Sequence, residues 1–211
     1  MYVPAHFAEP DPAKLHAFIE AHSFGLLVSP FGGGPFATHL PFLLERNAGP
    51  HGTLVGHLAR ANPHWQELNG AAALAVFSGP HAYISPTWYE AEPAVPTWNY
   101  VAVHAAGRAE LIEDRDALLG IVRRSVELYE SNMPRPWQLD AGSTFVDRLL
   151  GQIVGFRIRV EKLEGKWKLN QNHPPERRAN VARALEAAGG ADAAAVAALM
   201  RQTLPPAEPP R

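Results

Sequence analysis

The sequence has no cysteine among its 211 residues. It can therefore form no disulfide, thiolate-bound zinc site, iron–sulfur cluster or cysteine nucleophile. It also has no uninterrupted apolar run of about 18 residues, the length that a membrane-spanning helix needs. The first residues contain no basic region followed by an apolar stretch, so we expect no signal peptide and a cytoplasmic location.

Neither sign of charge dominates, because 19 basic and 21 acidic side chains give a net charge of -2 at pH 7. This balance excludes nucleic-acid binding that is driven by bulk charge. The layout is uneven, since residues 1–110 hold four basic side chains against eight acidic ones, and residues 157–183 hold eight basic against three acidic. The scarce basic residues of the first half are Lys14, Arg46, Arg60 and Arg108.

Hydrophobic periodicity and turn residues predict a mainly β protein with helices at its periphery. Strands are predicted over 25–29, 36–45, 53–58, 72–78, 81–84, 98–110 and 153–163. Helices are predicted over 11–22, 62–68, 144–150, 174–188 and 192–202, and Asp114 caps a further long one. Short turns between consecutive strands favour antiparallel pairing, and hence a barrel or a curled sheet.

The chain length indicates one domain with a small appendage. We expect the domain to cover residues 1–188. The remainder, 189–211, reads as an alanine-rich helix followed by a frayed proline-rich tail.

The segment GHLARANPHW (56–65) ends a predicted strand and opens a helix at Asn62. A helix start offers unpaired N–H groups, and the neighbouring Arg60 adds a forked charged donor, so the pair suits a phosphate or carboxylate. The same pattern is also that of an ordinary strand-to-helix joint with a surface arginine.

Aromatic residues concentrate in SPTWYEAEPAVPTWNY (85–100), where prolines stiffen the chain. Aromatic side chains on a rigid loop suit a planar ligand or a subunit interface, although they could also form a small core beneath the loop. The ten histidines show no tight metal-ligand spacing, and no serine-hydrolase or nucleotide-binding motif occurs. We therefore assign no metal ligand and no catalytic residue.

The segment 162–185 combines a basic cluster, a tryptophan and several amides. Its helix carries Arg177, Arg178 and Arg183, which could contact nucleic acid or an anionic ligand, but a solvated basic helix is the favoured interpretation. Lys166, Lys168 and Gln171 are better functional candidates, because they lie beside Trp167 in a loop of unrepetitive sequence.

Six motifs in this order resemble the PaiB-type FMN-binding negative transcriptional regulators. They are MYVPAHF (1–7), THLPFLL (38–44), GHLARANPHW (56–65), AYISPTWY (82–89), VPTWNYVAVHAAG (95–107) and KWKLNQN (166–172). The resemblance runs from Met1 to about Leu185 and is most specific in NPHW and VPTWNY. It does not cover the segment after Gly189.

The resemblance implies a split β-barrel of the pyridoxamine-phosphate-oxidase and flavin-reductase kind, with FMN in the cleft of a homodimer. It implies that Arg60 and the Asn62 turn take the phosphate, that residues 38–41 follow the isoalloxazine edge, and that Trp98, Asn99 and Trp88 close the site from the second subunit. Lys168 and Gln171 would add polar contacts. The full set of implied FMN-binding residues is Thr38, His39, Leu40, Pro41, His57, Arg60, Asn62, Trp88, Trp98, Asn99, Lys168 and Gln171.

Binding to DNA is implied by the resemblance only. Three alternatives stay open: an FMN-dependent oxidoreductase with no regulatory role, a haem-binding split barrel, and a DNA-binding repressor without a cofactor.

Overall fold

The computed structural model describes residues 1–205. Its strands are β1 Ala8–Glu9, β2 Phe24–Phe31, β3 Gly34–Pro41, β4 Leu43–Glu45, β5 Thr53–Ala59, β6 Ala72–Ile84, β7 Thr97–Ile112 and β8 Ile153–Lys168. Its α-helices are α1 Pro12–Ala21, α2 Arg115–Glu130, α3 Thr144–Leu150, α4 Pro175–Ala188 and α5 Ala191–Gln202. Short 3-10 helices cover Ala5–Phe7, Pro63–Glu67 and Pro86–Tyr89. The proline-rich tail that we expected to fray lies almost entirely outside the described residues.

The eight strands form one sheet in the order β3-β2-β6-β7-β8-β5-β4, with β1 added to β8. β2 pairs with β3 and β6, β5 pairs with β4 and β8, and β1 pairs with β8, all antiparallel. The strands at the two ends of this order, β3 and β4, are joined by Phe42 alone. The chain thus passes directly from one edge of the sheet to the other, so the sheet curls into a barrel that is split between these two edge strands.

Close backbone approach accompanies this closure. A Cβ on Gly56 of β5 would lie 3.1 Å from the carbonyl oxygen of Pro41 and 2.8 Å from the ring of Phe156. Glycine at position 56 therefore lets the end of β3 and the middle of β5 approach each other. Phe42, Phe77 and Phe156 pack edge to face in the core beside this point, and all three are fully buried.

The predicted helices are confirmed, and Asp114 caps α2 through a 2.8 Å bond from the N–H of Ala117. Two strand predictions are wrong. Residues 72–84 form one strand, whereas we predicted a turn at Gly79-Pro80; the pairing with β2 covers Leu74–Val76, so Pro80, which has no N–H, lies beyond that ladder. Residues 36–45 belong to two strands, because the chain up to Pro41 pairs with β2, whereas Leu43–Glu45 pairs with β5.

The chain forms two compact units. The larger unit comprises Pro12–Phe77 and His104–Leu163. The smaller unit comprises Met1–Asp11, Ser78–Val103 and the described residues from Glu164 onward. In the smaller unit α5 is firmly packed, since its Val196, Ala197 and Met200 are fully buried. The expected division at residue 188 stays a prediction.

No helix among the described residues is long and apolar enough to cross a membrane.

Candidate functional site

A hydrogen-bonded cluster of Ser29, Thr38, Asn62 and His64 lies in the larger unit, and we call it the His64 cluster. The side chain of Asn62 accepts a 3.0 Å bond from the N–H of His64 and so begins the 3-10 turn Pro63–Glu67. The imidazole of His64 is fully buried, with Nδ1 2.8 Å from the hydroxyl of Thr38 and Nε2 2.7 Å from that of Ser29. The cluster therefore ties the β2–β3 hairpin to the turn after β5.

The His64 cluster is electrically neutral and fully satisfied. Burial lowers the pKa of His64, so the imidazole is uncharged at pH 7. A neutral imidazole has one N–H and one lone pair, and two hydroxyl groups are ideal partners because each can donate or accept. The Nδ2 of Asn62 donates to Thr38 over 3.2 Å and completes the network. These contacts fix β3 more firmly than backbone pairing alone.

Two of the predicted FMN-binding residues, Thr38 and Asn62, are thus brought into contact. Thr38 is half-buried and lies on β3, which pairs with β2 on one side and ends the strand order on the other. Along the same strand His39 is exposed and stacks loosely with Phe24, whereas Leu40 is buried. An edge strand presents backbone N–H and C=O groups to an added hydrogen-bonding partner.

His57 lies on β5 opposite Gly155 of β8 and is half-buried. Burial lowers the pKa of its imidazole, so it is neutral at pH 7. It can donate or accept one hydrogen bond but brings no charge to a phosphate.

The guanidinium of Arg60, the predicted phosphate ligand, is engaged within the larger unit. Its Nε and Nη2 donate to the carbonyls of Gly151 and Ile153, each over 3.2 Å. Its Nη1 lies 3.3 Å from the carboxylate of Glu113, and its Cζ lies 5.5 Å from the centroid of the Trp65 ring. The short helix after it has five residues and is of the 3-10 type. A phosphate at Arg60 would compete with the carboxylate of Glu113.

A second polar group lies in the smaller unit around Lys166 and Lys168 of β8, and we call it the lysine cluster. The ammonium of Lys168 donates to the hydroxyl of Thr97 and to the carbonyl of Trp98. That of Lys166 donates to the carbonyl of Tyr2 over 3.1 Å and faces the rings of Tyr2 and Tyr100 at 5.5 and 5.2 Å. The cluster consists of Tyr2, Thr97, Trp98, Tyr100, Lys166 and Lys168.

The lysine cluster is charged and partly buried. The side chain of Lys166 is only 7% exposed, and Lys168 is half-buried. Burial, together with the charge of Lys166, lowers the pKa of Lys168. Within residues 1–205 neither ammonium forms an ion pair with a carboxylate.

The aromatic side chains of the predicted site differ in exposure. Trp98 is 54% exposed and meets the edge of Tyr83 at 5.9 Å, whereas Trp88 is half-buried. Exposed aromatic groups of this size are typical of ligand or subunit contacts. Trp98 therefore has the surface position that its predicted role requires.

Asn99 and Gln171 both have partners within the smaller unit. The amide of Asn99 is fully buried, its Nδ2 lies 3.3 Å from the sulfur of Met200 on α5, and its Oδ1 has no hydrogen-bond partner. The amide of Gln171 accepts from the N–H of Leu169 over 2.8 Å and donates to the carbonyl of Trp167 over 2.6 Å. Gln171 thus shapes the turn that follows β8.

The basic helix α4 is less solvated than predicted. Arg178 is 7% exposed and donates to the backbone and hydroxyl of Thr203, so the prediction of a solvated residue is wrong here. Arg177 donates to the carbonyls of Glu92 and Pro93, and Arg183 donates to Asn180. These arginines organise the smaller unit rather than form an open basic surface.

Sequence reasoning missed Ser29 and the central role of His64. The NPHW motif could have indicated His64, because the capping asparagine bonds to the N–H of this histidine and so fixes its backbone at the start of the turn. Ser29 carried no such signal, since its partner lies 35 residues away.

Comparison with known proteins identifies the family. Residues 1–162 match the family model described as "Putative FMN-binding domain". The chain belongs to this FMN-binding family. A curated relative, "Protease synthase and sporulation protein PAI 2" of Bacillus subtilis, is 36% identical over 207 residues, which cover 97% of this chain and 98% of the relative. The predicted family and its cofactor, FMN, are confirmed.

Solved structures similar to this member of the FMN-binding family confirm the split-barrel fold. The flavocytochrome Anf3 of Azotobacter vinelandii has a TM-score of 0.60 at 18% identity, with 79% of this chain and 72% of that chain covered. The FAD and heme binding protein of Mycobacterium smegmatis also has a TM-score of 0.60, at 16% identity, with 87% and 80% covered. At these identities the likeness shows the fold alone.

The groups present in this family member fit FMN chemically. FMN needs a cation and hydroxyl donors for its phosphate, polar groups for the pyrimidine edge of the ring, and an apolar surface for the ring faces. In the smaller unit the lysine cluster has two ammonium groups with no carboxylate partner among residues 1–205, and Trp98 has an exposed ring. In the larger unit the edge strand β3 has backbone polar groups. When bound, FMN supplies redox chemistry that no side chain provides.

Proposed function

We propose that the protein is a homodimeric FMN-binding regulator of gene expression. The observation that carries the proposal is a cation beside the backbone of an exposed aromatic residue: the ammonium of Lys168 donates to the carbonyl of Trp98, whose ring is 54% exposed. A cation and an exposed aromatic residue in one cluster match a flavin and its phosphate, and they also match an interface that a second subunit completes.

In this proposal the isoalloxazine edge lies along Thr38–Pro41 of one subunit. The His64 cluster supports the arrangement, because it holds Thr38 in place from behind. Trp98 and Lys168 of the second subunit cover the ring and the phosphate. A site assembled in advance by buried hydrogen bonds loses little conformational entropy when the cofactor binds.

The regulatory part of the proposal is supported by the Bacillus subtilis relative, whose name connects it with protease synthesis and sporulation. The test is a mobility-shift titration of the DNA upstream of the protein's own gene, with and without FMN. We expect a shift that depends on FMN and weakens as salt rises. No shift at low salt in either condition would contradict the regulatory role.

A redox assay separates this proposal from an FMN-dependent oxidoreductase. If NADH or NADPH bleaches the absorbance of bound FMN through repeated turnovers, the protein is an enzyme. For a regulator we expect no such turnover.

A further inference from the structure

Two like charges lie side by side in the lysine cluster, and neither has an ion pair with a carboxylate among residues 1–205. Lys166 and Lys168 are alternate residues of β8, so their side chains leave the same face of the strand. The next residue on that face, Glu164, is engaged with the α-amino group of Met1 at 2.8 Å. Partly buried cations are normally paired with an anion, and these two ammonium groups have no such anionic partner among residues 1–205.

Among residues 1–205, the hydrogen bonds of the lysine cluster occupy only part of its donor set. The ammonium of Lys168 has three N–H groups, of which two are used by Thr97 and the carbonyl of Trp98. The hydroxyl of Thr97 accepts from Lys168, so its own hydrogen is available to another acceptor. One ammonium N–H and one hydroxyl therefore remain for a ligand with several acceptor oxygens.

We propose that Lys168 and Thr97 bind the phosphate of FMN, with Lys166 adding positive charge from behind. A phosphate monoester carries about 1.5 to 2 negative charges at pH 7 and three acceptor oxygens, which match this donor set. The inference rests on the proposed FMN site and deepens it. The lowered pKa of Lys168 agrees with it, because a bound anion would restore the charged form that burial disfavours.

Arg60 is the rival phosphate ligand. Its guanidinium already has the carboxylate of Glu113, two carbonyls and the Trp65 ring as partners. A phosphate there must compete with a carboxylate, whereas at Lys168 it meets a cation with no acidic partner. The geometry therefore favours the lysine cluster.

The test compares FMN with riboflavin, which has the same ring and no phosphate. Both are titrated into the full-length protein, Lys168→Met, Thr97→Val, Arg60→Met and the control Lys162→Met, which removes an exposed charge from the same strand. We expect Lys168→Met to weaken FMN binding about tenfold or more, as for a charged hydrogen bond, and to leave riboflavin binding unchanged. Thr97→Val should act in the same direction with less effect, and Arg60→Met and Lys162→Met should keep the preference for FMN.

Other outcomes overturn the inference. If Lys168→Met weakens the binding of FMN and of riboflavin equally, Lys168 contacts the flavin ring and not the phosphate. If Arg60→Met selectively weakens the binding of FMN, Arg60 is the phosphate ligand. In both cases the proposed FMN site stands. If the unaltered protein binds neither flavin, the proposed function fails as well. Circular dichroism shows which variants are folded. If Lys168→Met is unfolded, the comparison of FMN with riboflavin is made with Thr97→Val instead.

Discussion

The His64 cluster and the lysine cluster are both built from polar side chains on β-strands, yet they differ in how completely those groups are paired. In the His64 cluster a neutral imidazole has a hydroxyl on each nitrogen. In the lysine cluster one ammonium donates to a carbonyl and the other to a hydroxyl and a carbonyl, and neither has a carboxylate partner among residues 1–205. The His64 cluster is complete within the chain, and we propose that an anion from outside completes the lysine cluster.

The difference in pairing distinguishes residues that stabilise the fold from residues that are available to a ligand, although the same motifs contain both. Thr38, Asn62 and Lys168 were all predicted to bind FMN. The first two are held by the buried histidine, and the third has a donor left over. Pairing, more than residue type, distinguishes a group that stabilises the fold from one that is available to a ligand.

The largest expected effect comes from removing the imidazole of the His64 cluster. Replacing His64 with leucine leaves the hydroxyls of Ser29 and Thr38 without their ring partner, and buried unpaired groups are costly. We expect the free energy of unfolding to fall by about 2–4 kcal/mol in urea denaturation.

His81→Leu is the matched control, because His81 is exposed in the smaller unit and lies 3.9 Å from an equally exposed Asp192. It should change stability by less than about 0.5 kcal/mol. A similar result for His64→Leu would mean that the cluster does not hold the hairpin.

The next effect concerns the exposed tryptophan of the lysine cluster. If Trp98 lies in the dimer interface, Trp98→Ala should weaken dimerisation by about 2 kcal/mol, or roughly 30-fold, in sedimentation equilibrium. Trp137, which is 57% exposed in the larger unit, provides a control of equal exposure. Equal effects of the two replacements, or none from Trp98→Ala, would contradict the proposed interface.

Acid should weaken the fold through its buried histidines. The pKa values of His57 and His64 are lowered from 6.5 by burial, so the unfolded chain binds more protons than the folded one below that pH. Their contribution to stability is therefore complete above pH 6.5 and is lost as pH falls through the lowered folded values.

Urea denaturation at pH 7.5 and pH 5 measures this dependence, and each unit of pKa difference corresponds to about 1.4 kcal/mol. His64→Leu should lose part of the slope. An unchanged slope would show that folding does not lower the pKa of His64.

The smallest expected effect tests whether Gln171 contacts the ligand or only shapes the turn next to the lysine cluster. Gln171→Ala removes two hydrogen bonds within the turn after β8, one to Leu169 and one to Trp167. Because the turn is partly exposed, we expect a loss of about 0.5–1.5 kcal/mol in the free energy of unfolding. A larger loss, or a loss only in the presence of FMN, would indicate that Gln171 contacts the ligand.

Local features of the fold could be predicted from the sequence. Asp114 and Asn62 are capping residues whose side chains bond within three residues, and α3 has the predicted bounds 144–150. The continuous strand through Gly79-Pro80 could not be predicted, because its pairing partners decide whether the missing N–H of proline matters.

The candidate site could be predicted only as a set of motifs. Arg60 meets Glu113 across 53 residues, and Asn99 meets Met200 across 101 residues. Such partners decide whether a polar group is free for a ligand, and one-sequence patterns do not contain them. The FMN-binding family itself could be predicted, because each of its motifs is a contiguous stretch of the sequence.

The central claim is that the chain binds FMN in a homodimer, and one titration tests it most directly. FMN is added to the purified protein while the flavin absorbance and the sedimentation of bound flavin are followed together. The account predicts a perturbed flavin spectrum, saturation at one FMN per chain, and flavin that sediments with the dimer. A flavin spectrum that the protein leaves unchanged, or a Soret band on addition of haem with no FMN uptake, would contradict it.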